Sequence, residues 1–398
     1  MKIVFLAPFG IRPKGTVIAR MIPLAAELQG LGHEVVILAP PYTNPEDSGK
    51  TEVLSGVRLC NIVLGPKNRV IAAPLLAWRM FCATLAEKPD LVQLFKPKGY
   101  GGLAAMLHLS LQIIGLRLPP LLLDTDDWEG SGGMNESNSY SAVEKRFYRF
   151  QEQWLIKRVA GISVASRALE EMVAAMGVAG SRILYLPNCA GKPVRASGAG
   201  VKRRLGIESD APVLLLYSRF FEFSQEKLHF LFAEIYRQIP QVRFLVVGKG
   251  RSGEEDQLLA AGREMGFATA LLMAGWIDPA EIPDYLAAGD VAVYPFADTL
   301  VNRTKCPAKL TELLIAELAV VADSIGQIPE YIVHEYSGIL CDHNNWQEMA
   351  DRAVELLQDP ARRYAMGLAG REYLLENFSW RQYAEQLNDF YKRFSAGS

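Results

Sequence analysis

Short apolar runs, each followed by a segment of helical character, recur along the chain, and this alternation restricts the fold more than any other feature. In the first half the runs are Ile3–Ala7, Glu34–Ala39, Leu91–Phe95, Leu121–Leu123 and Gly161–Ser166. Between them, Val17–Leu31 and Ala142–Val159 read as helices. Two strands that run parallel need a long crossover, and a helix is the usual one. Strands covered by helices on both faces are apolar throughout instead of alternating with polar residues. The pattern therefore predicts an α/β chain with parallel, doubly wound sheets.

The alternation then breaks and restarts. The stretch from Pro187 to Gly200 is rich in Gly, Pro and small residues, as a linker is. After it come apolar runs at Val213–Tyr217, Val242–Val247, Ala270–Met273 and Val291–Tyr294, with a helix expected over Lys227–Gln238. Trp380–Phe394 reads as an amphipathic helix. Two Rossmann-like domains facing a cleft are expected, over residues 1–190 and 200–378, with the helix of about 379–398 packing back on the first.

Composition excludes several alternatives. A formal net charge of −2 over 398 residues carries no global electrostatic case for nucleic acid. The five cysteines form no CxxC pair, which removes the usual zinc and disulfide frameworks and points to a reducing cytoplasm. Lys2–Gly10 reads as a buried first strand instead of a signal peptide. Gly101–Leu123 is the longest apolar region, but His108, Gln112, Arg117 and Pro119-Pro120 interrupt it. It reads as a buried helix, a Pro-Pro break and a strand, because a membrane span needs about 20 apolar residues in succession.

The segment Asn302–Asp323 carries the clearest chemistry. A basic, proline-containing loop (Arg303, Thr304, Lys305, Cys306, Pro307, Ala308, Lys309) runs into an apolar helix holding one carboxylate, Glu312, and then into a strand. Helix starts favour anions through their free N–H groups and dipole. Lysines there suit a phosphate or diphosphate, and Glu312 suits a sugar hydroxyl. A second candidate is Asp124-Thr125-Asp126-Asp127-Trp128-Glu129, an acidic run directly after a strand. Four carboxylates so close repel one another, so a hydroxyl, a cation or a basic side chain is expected among them. Asp126 or Asp127 could orient a hydroxyl or accept its proton, or could simply cap a turn.

With these pieces in order, the chain resembles the GT-B glycosyltransferases, closest to the retaining glycosyltransferase family 4. The resemblance rests on the opening strand and glycine loop, Gly32-His33-Glu34-Val35, Ser218-Arg219-Phe220, Val246-Val247-Gly248-Lys249-Gly250, Gly275-Trp276-Ile277, Asp290–Pro295 and the helix at Glu312. It covers essentially the whole chain and is stronger in the second half. It implies transfer of a sugar from a nucleotide-diphosphate sugar, a UDP-sugar or a GDP-sugar, to an acceptor hydroxyl with retention of anomeric configuration. The acceptor would be a glycan, a lipid-linked sugar or a small molecule, and neither a metal nor a cofactor is implied. The location would be cytoplasmic, with peripheral contact at the inner membrane face. From their residues, Phe95–Gly102 reads as a solvated basic loop, as lining of the acceptor side or as a membrane-surface contact, and Arg69–Cys82 as core packing or interfacial docking. Gly15 would let backbone approach the diphosphate, or serve as a turn glycine. Arg219 would contact the diphosphate, where its planar fork binds two oxygens. Trp276 and Ile277 would lie at the base, although Trp276 also suits a core.

Three departures from the family pattern accompany the resemblance. Glu312 matches the second glutamate of the family's paired-glutamate motif, but Thr304 stands where the first belongs. The family's lysine after the arginine falls late, at Lys227, and Lys305 is the alternative cation. The histidine of many relatives is absent, and the acidic run stands near its place. The expected catalytic set is Asp126, Asp127, Arg219 and Lys305. The expected donor set is Gly15, Arg219, Lys227, Gly248, Trp276, Ile277, Thr304, Lys305, Cys306, Pro307, Ala308, Lys309 and Glu312. A GT-B-like epimerase or phosphorylase and a non-catalytic sugar-nucleotide-binding subunit are the alternative readings.

Overall fold

The computed structural model describes residues 1–12, 17–66, 69–136 and 138–395, with the side chains of Arg69 and Val70 left aside. The chain divides into two compact units. The first comprises Met1–Asn188, Thr304–Cys306 and Trp380 onward; the second comprises Cys189–Arg303 and Pro307–Ser379.

The first unit is built on eight strands: β1 (Lys2–Leu6), β2 (Glu34–Ala39), β3 (Thr51–Leu54), β4 (Val57–Asn61), β5 (Leu91–Phe95), β6 (Leu121–Thr125), β7 (Ile162–Val164) and β8 (Ile183–Tyr185). Their order is β3-β4-β2-β1-β5-β6-β7-β8, and all pairs are parallel except the β3–β4 hairpin at one edge. The second unit carries β9 (Val213–Tyr217), β10 (Arg243–Val247), β11 (Leu271–Gly275), β12 (Val291–Tyr294), β13 (Ala319–Asp323) and β14 (Ile339–Cys341). These form a wholly parallel sheet in the order β11-β10-β9-β12-β13-β14.

In each sheet the chain order reverses once, between β1 and β5 in the first and between β9 and β12 in the second. Connections leave the sheet in opposite directions there, so a crevice opens outside the carboxyl ends of those strands. The central strands are buried along their length, which is why they read as unbroken apolar runs.

The segment expected as one helix over Val17–Leu31 is two elements. A π turn spans Val17–Met21, and the α-helix runs Ile22–Gly30. Pro23 sits in the first turn of that helix. It has no N–H to give back and its ring crowds the carbonyl four residues earlier, so a wider turn precedes it. The final helix, Trp380–Ser395, buries Trp380, Tyr383, Leu387 and Tyr391 within the first unit. Among the described residues, no helix is long and apolar enough to cross a membrane.

Candidate functional site

Each unit gathers polar side chains at its own switch point. In the second unit, β9 ends at Tyr217, and Ser218 and the exposed Arg219 follow. Phe220 then turns inward with φ +67°, a left-handed conformation rare for a phenylalanine. Ser218 stabilises this turn, its Oγ accepting the Phe220 N–H at 2.9 Å and donating to Glu222 at 3.3 Å. The backbone is thus held so that Arg219 projects outward at the end of the strand.

The helix Ala308–Ile315 brings two further groups to the same place. The Lys309 ammonium lies 3.7 Å from the centre of the Tyr217 ring. The Tyr217 phenol is hydrogen-bonded to Glu312. Burial pushes the Tyr217 pKa up, and the Glu312 carboxylate raises it further, while the nearby Arg219 charge acts in the opposite sense. Arg219, Tyr217, Lys309 and Glu312 therefore form one cluster at the β9/β12 switch point. Pro295 and Phe296, just after β12, line the same recess with Tyr217, Ser218 and Lys309. Two cations, a carboxylate and a phenol in that arrangement can hold a diphosphate together with a sugar hydroxyl.

The remaining donor candidates take varied positions. Gly248 follows β10 with φ +123°, and a Cβ there would lie 1.9 Å from the Ser218 carbonyl oxygen. Its N–H donates to the Gly275 carbonyl at 2.8 Å, which brings the ends of β10 and β11 together. Gly248→Ala is expected to cost at least about 2 kcal/mol, from left-handed strain and displacement of the Ser218 backbone. Denaturant unfolding measures this, and an unchanged midpoint would show that the two strand ends yield freely. Trp276, directly after Gly275, is 61% exposed, so the core alternative for it does not hold. Ile277 beside it is half-buried.

Lys227 is 4% exposed, near the start of the helix Gln225–Gln238. Its ammonium reaches both Asp323 oxygens at 2.7 Å and the His343 carbonyl at 3.1 Å, which occupies all three of its protons. Asp323 in turn accepts the Phe296 N–H at 2.7 Å. Burial pushes the Asp323 pKa up, against the pull of Lys227. Through Asp323, Lys227 thus fixes the turn after β12, with its protons taken up by protein acceptors.

Thr304 closes the helix Leu300–Thr304 and is buried, its carbonyl accepting the Ser166 hydroxyl at 2.7 Å within the first unit. Cys306 and Pro307 are buried, while Lys305 and Ala308 are half-exposed. Asn188 donates its N–H to the Cys306 sulfur at 3.2 Å and its amide to the Cys306 carbonyl at 2.9 Å. Gly15 lies outside the described residues.

In the first unit the acidic run after β6 meets two lysines that follow β5. Lys96 lies 2.7 Å from Asp126 and 2.6 Å from Asp127, with Glu129 at 3.6 Å. Lys98 lies 2.6 Å from Glu129 and donates to Asn135 at 3.2 Å. Lys96 has φ +61°, so the loop Phe95–Gly102 is not a solvated basic loop but a tight turn with its first lysine buried. Burial pulls the Lys96 pKa down, yet the three carboxylates outweigh it and the net shift is strongly upward. Asp127 is raised, by burial first, with Lys96 opposing.

Asp124, the first acid of the run, belongs to a separate network. The Arg20 guanidinium pairs with both its oxygens, at 2.7 and 2.8 Å, and also donates to Leu186 O, Pro187 O and Asn188 Oδ1. Ser163 donates to Asp124 at 2.6 Å and accepts from Gln93 at 3.2 Å; Gln93 in turn accepts from the Tyr391 phenol. Arg20 escaped the sequence reading. The available signal was a single arginine within the apolar stretch Val17–Ala26.

Glu152 lies beneath this acidic loop. One oxygen accepts the Glu129 N–H at 3.1 Å, and the other has no hydrogen-bond partner among the described residues. Burial pushes its pKa well up, and Glu129 adds to the rise while Lys98 and Lys96 oppose it. A carboxyl whose folded pKa exceeds its unfolded value loses stability as pH rises through that interval. Glu152→Gln preserves the shape and removes the titration. The variant should match the native melting temperature near pH 5 and exceed it at pH 8. Equal pH profiles for the two proteins would overturn this reading of Glu152.

Comparison with known proteins bears on the family and the fold. Residues 15–189 match the family model described as glycosyl transferase 4-like domain, and residues 211–359 match glycosyl transferases group 1. A GDP-mannose-dependent alpha-(1-6)-phosphatidylinositol monomannoside mannosyltransferase of Mycolicibacterium smegmatis is 28% identical over 88% of this chain and 87% of its own. The protein of the same name from Mycobacterium tuberculosis is 28% identical over 57% of this chain, and the match spans 60% of its length. Among solved structures, sucrose-phosphate synthase from Thermosynechococcus elongatus superposes with a TM-score of 0.76 at 18% identity, over 100% of both chains. Anabaena HepE in complex with UDP and glucose gives 0.71 at 18% identity, over 99% of this chain and 100% of that one.

Proposed function

The chain belongs to the group 1, GT4-like glycosyltransferases of GT-B fold, and on that premise we propose that it transfers a sugar from a nucleoside-diphosphate sugar to an acceptor hydroxyl with retention of configuration. The observation that carries the proposal is the convergence of Arg219, Lys309, Tyr217 and Glu312 at the β9/β12 switch point. Arg219 and Lys309 hold the diphosphate. As the sugar–phosphate bond breaks, charge gathers on the leaving diphosphate, and fixed cations there favour the transition state. Glu312, oriented by Tyr217, accepts hydrogen bonds from the nucleotide ribose. Trp276 and Ile277 lie beside the base, and the exposure of Trp276 supports that role.

Transfer with retention needs no strong protein base, because the departing phosphate can take the acceptor proton. Asp126 and Asp127, anchored by Lys96, serve to orient the acceptor hydroxyl. The relative that matches over most of both chains supports GDP-mannose as donor, and the UDP complexes of HepE support a UDP-sugar as the second reading. The acceptor is a glycan, a lipid-linked sugar or a small glycoside, and the proposed location is cytoplasmic, at the inner face of a membrane. The proposal needs neither a metal nor a cofactor.

A thermal-shift panel of UDP, GDP, ADP and their sugar conjugates tests the proposal. One nucleoside diphosphate should raise the melting temperature, since a ligand that binds only the folded chain stabilises it by mass action. Arg219→Ala should abolish the shift. No shift from any of them would reduce the family assignment to fold alone, and NMR of the product anomer decides retention.

A further inference from the structure

Four tyrosines gather at the carboxyl edge of the first unit's sheet, and nothing in the donor reading uses them. Tyr42 follows β2 by way of Pro40-Pro41, and Tyr100 lies at the start of the helix Gly99–Ile113, just beyond β5. Tyr140 immediately precedes the helix Ala142–Arg158, and Tyr148 lies in its second turn. They form two edge-to-face pairs, Tyr42–Tyr100 with ring centres 5.3 Å apart and Tyr140–Tyr148 at 5.1 Å. The pairs lie near one another: burial pushes the Tyr42 phenol up, and the phenols of Tyr140, Tyr100 and Tyr148 and the Glu129 carboxylate are near enough to raise it further. Lys98, bound to Glu129 and Asn135, stands 5.8 Å from the Tyr140 ring centre and joins the cluster to the acidic loop.

This cluster is not ordinary core. Tyr42 is 44% exposed, and the other three rings are half-buried. Among the described residues, the hydroxyls of Tyr42, Tyr100 and Tyr140 make no hydrogen bond to protein. The phenols of Tyr42, Tyr100 and Tyr140, at an open sheet edge with ring faces beside them, combine an apolar surface with polar tips. A pyranose ring has the complementary character, an apolar C–H face bordered by hydroxyls. An acyl chain would leave the phenols and the carboxylates unmatched, and a nucleobase would have no diphosphate-binding cation here, because Lys96 and Lys98 are already ion-paired.

We propose that Tyr42, Tyr100, Tyr140 and Tyr148 form an acceptor subsite for a hexopyranoside ring, which stacks on the tyrosines while the hydroxyls of Tyr42, Tyr100 and Tyr140 read its own. The acceptor is then a glycan or a glycosylated molecule whose terminal sugar binds here, beside Asp126 and Asp127. The inference rests on the glycosyl-transfer reading for the word acceptor, but its binding chemistry does not depend on it.

The test is saturation-transfer NMR on the full chain, with and without the nucleotide that raises its melting temperature. Methyl α-D-mannopyranoside and methyl α-D-glucopyranoside are the probes, with glycerol as an acyclic control. At least one glycoside should receive transfer at its ring C–H protons while glycerol receives none. Tyr42→Ala and Tyr140→Ala should each weaken the signal at least fivefold, and Tyr42→Phe, which keeps the ring and folds in the same space, should weaken it less. The nucleotide shift should persist in all three variants. Nucleotide binding without glycoside transfer, or transfer unchanged in both alanine variants, overturns the subsite and leaves the donor reading intact. Tyrosine-dependent transfer without any nucleotide binding does the reverse.

Discussion

Replacing Arg20 with methionine is expected to lower the melting temperature of the first unit by about 10 °C, the largest stability effect of any single change away from the donor cluster. Arg20 and Asp124 are both about 1% exposed. All five guanidinium donors have acceptors, on Asp124, Leu186, Pro187 and Asn188. The arginine therefore ties the turn before the first helix to β6 and to the chain after β8. Methionine fills much of the volume but leaves Asp124 buried with only Ser163 donating to it. Removing one partner of a buried ion pair costs about 3–5 kcal/mol. For a unit of this size each kcal/mol is worth about 2–4 °C. Asp124→Asn in the Arg20→Met background should recover part of the loss, because it removes the uncompensated charge. A single variant that melts within 2 °C of the native chain would show that the network does not hold the unit together.

That network marks the boundary of what the sequence alone discloses. Strands buried on both faces print themselves as apolar runs, so β1, β2, β5, β9, β10 and β12 were legible to within a residue or two. The β3–β4 hairpin was not: β3 alternates exposed and half-buried residues, β4 alternates buried and half-buried ones, and the segment has no long apolar run. Pro23 was visible but its consequence was not, since proline is well tolerated in a first helical turn and only the geometry shows the wide turn before it. For the acidic run the repulsion argument left a hydroxyl, a cation or a basic side chain open as partners, and the structure supplies basic side chains. It could not name Lys96, Lys98 and Arg20, because such pairs join residues far apart in sequence through sheet order. Lys227 shows the converse. Its place after Arg219 in sequence suggested a phosphate ligand, while the fold gives it a buried carboxylate 96 residues away. Glu312 was legible as a lone carboxylate in an apolar helix. Its partner Tyr217 was hidden, because it ends a strand that reads as plain core.

Glu312→Ala is expected to reduce kcat/KM for glycosyl transfer by about 100-fold, with most of the loss in donor binding. A carboxylate that accepts hydrogen bonds from ligand hydroxyls contributes about 1.5–3 kcal/mol, which is about 10- to 150-fold. The substitution has a second effect that must be separated from the first. Tyr217 is nearly buried, and its phenol donates to Glu312. Removing the carboxylate leaves that phenol without an acceptor and lowers the stability of the empty protein by about 1–3 kcal/mol. Melting temperature alone therefore cannot report the ligand contact; the nucleotide-induced increment can. That increment should disappear in Glu312→Ala, be partly kept in Glu312→Gln, and survive at reduced size in Tyr217→Phe, which frees the carboxylate without deleting it. Lys309→Met supplies the complementary measurement. It removes the cation over the Tyr217 ring and should weaken binding of a nucleoside diphosphate far more than binding of the nucleoside. If Glu312→Ala retained the full nucleotide increment while Lys309→Met lost it, the carboxylate would be a support for Tyr217 and the hydroxyl contact would lie elsewhere. If both variants retained it, the switch-point cluster would not be the donor site at all.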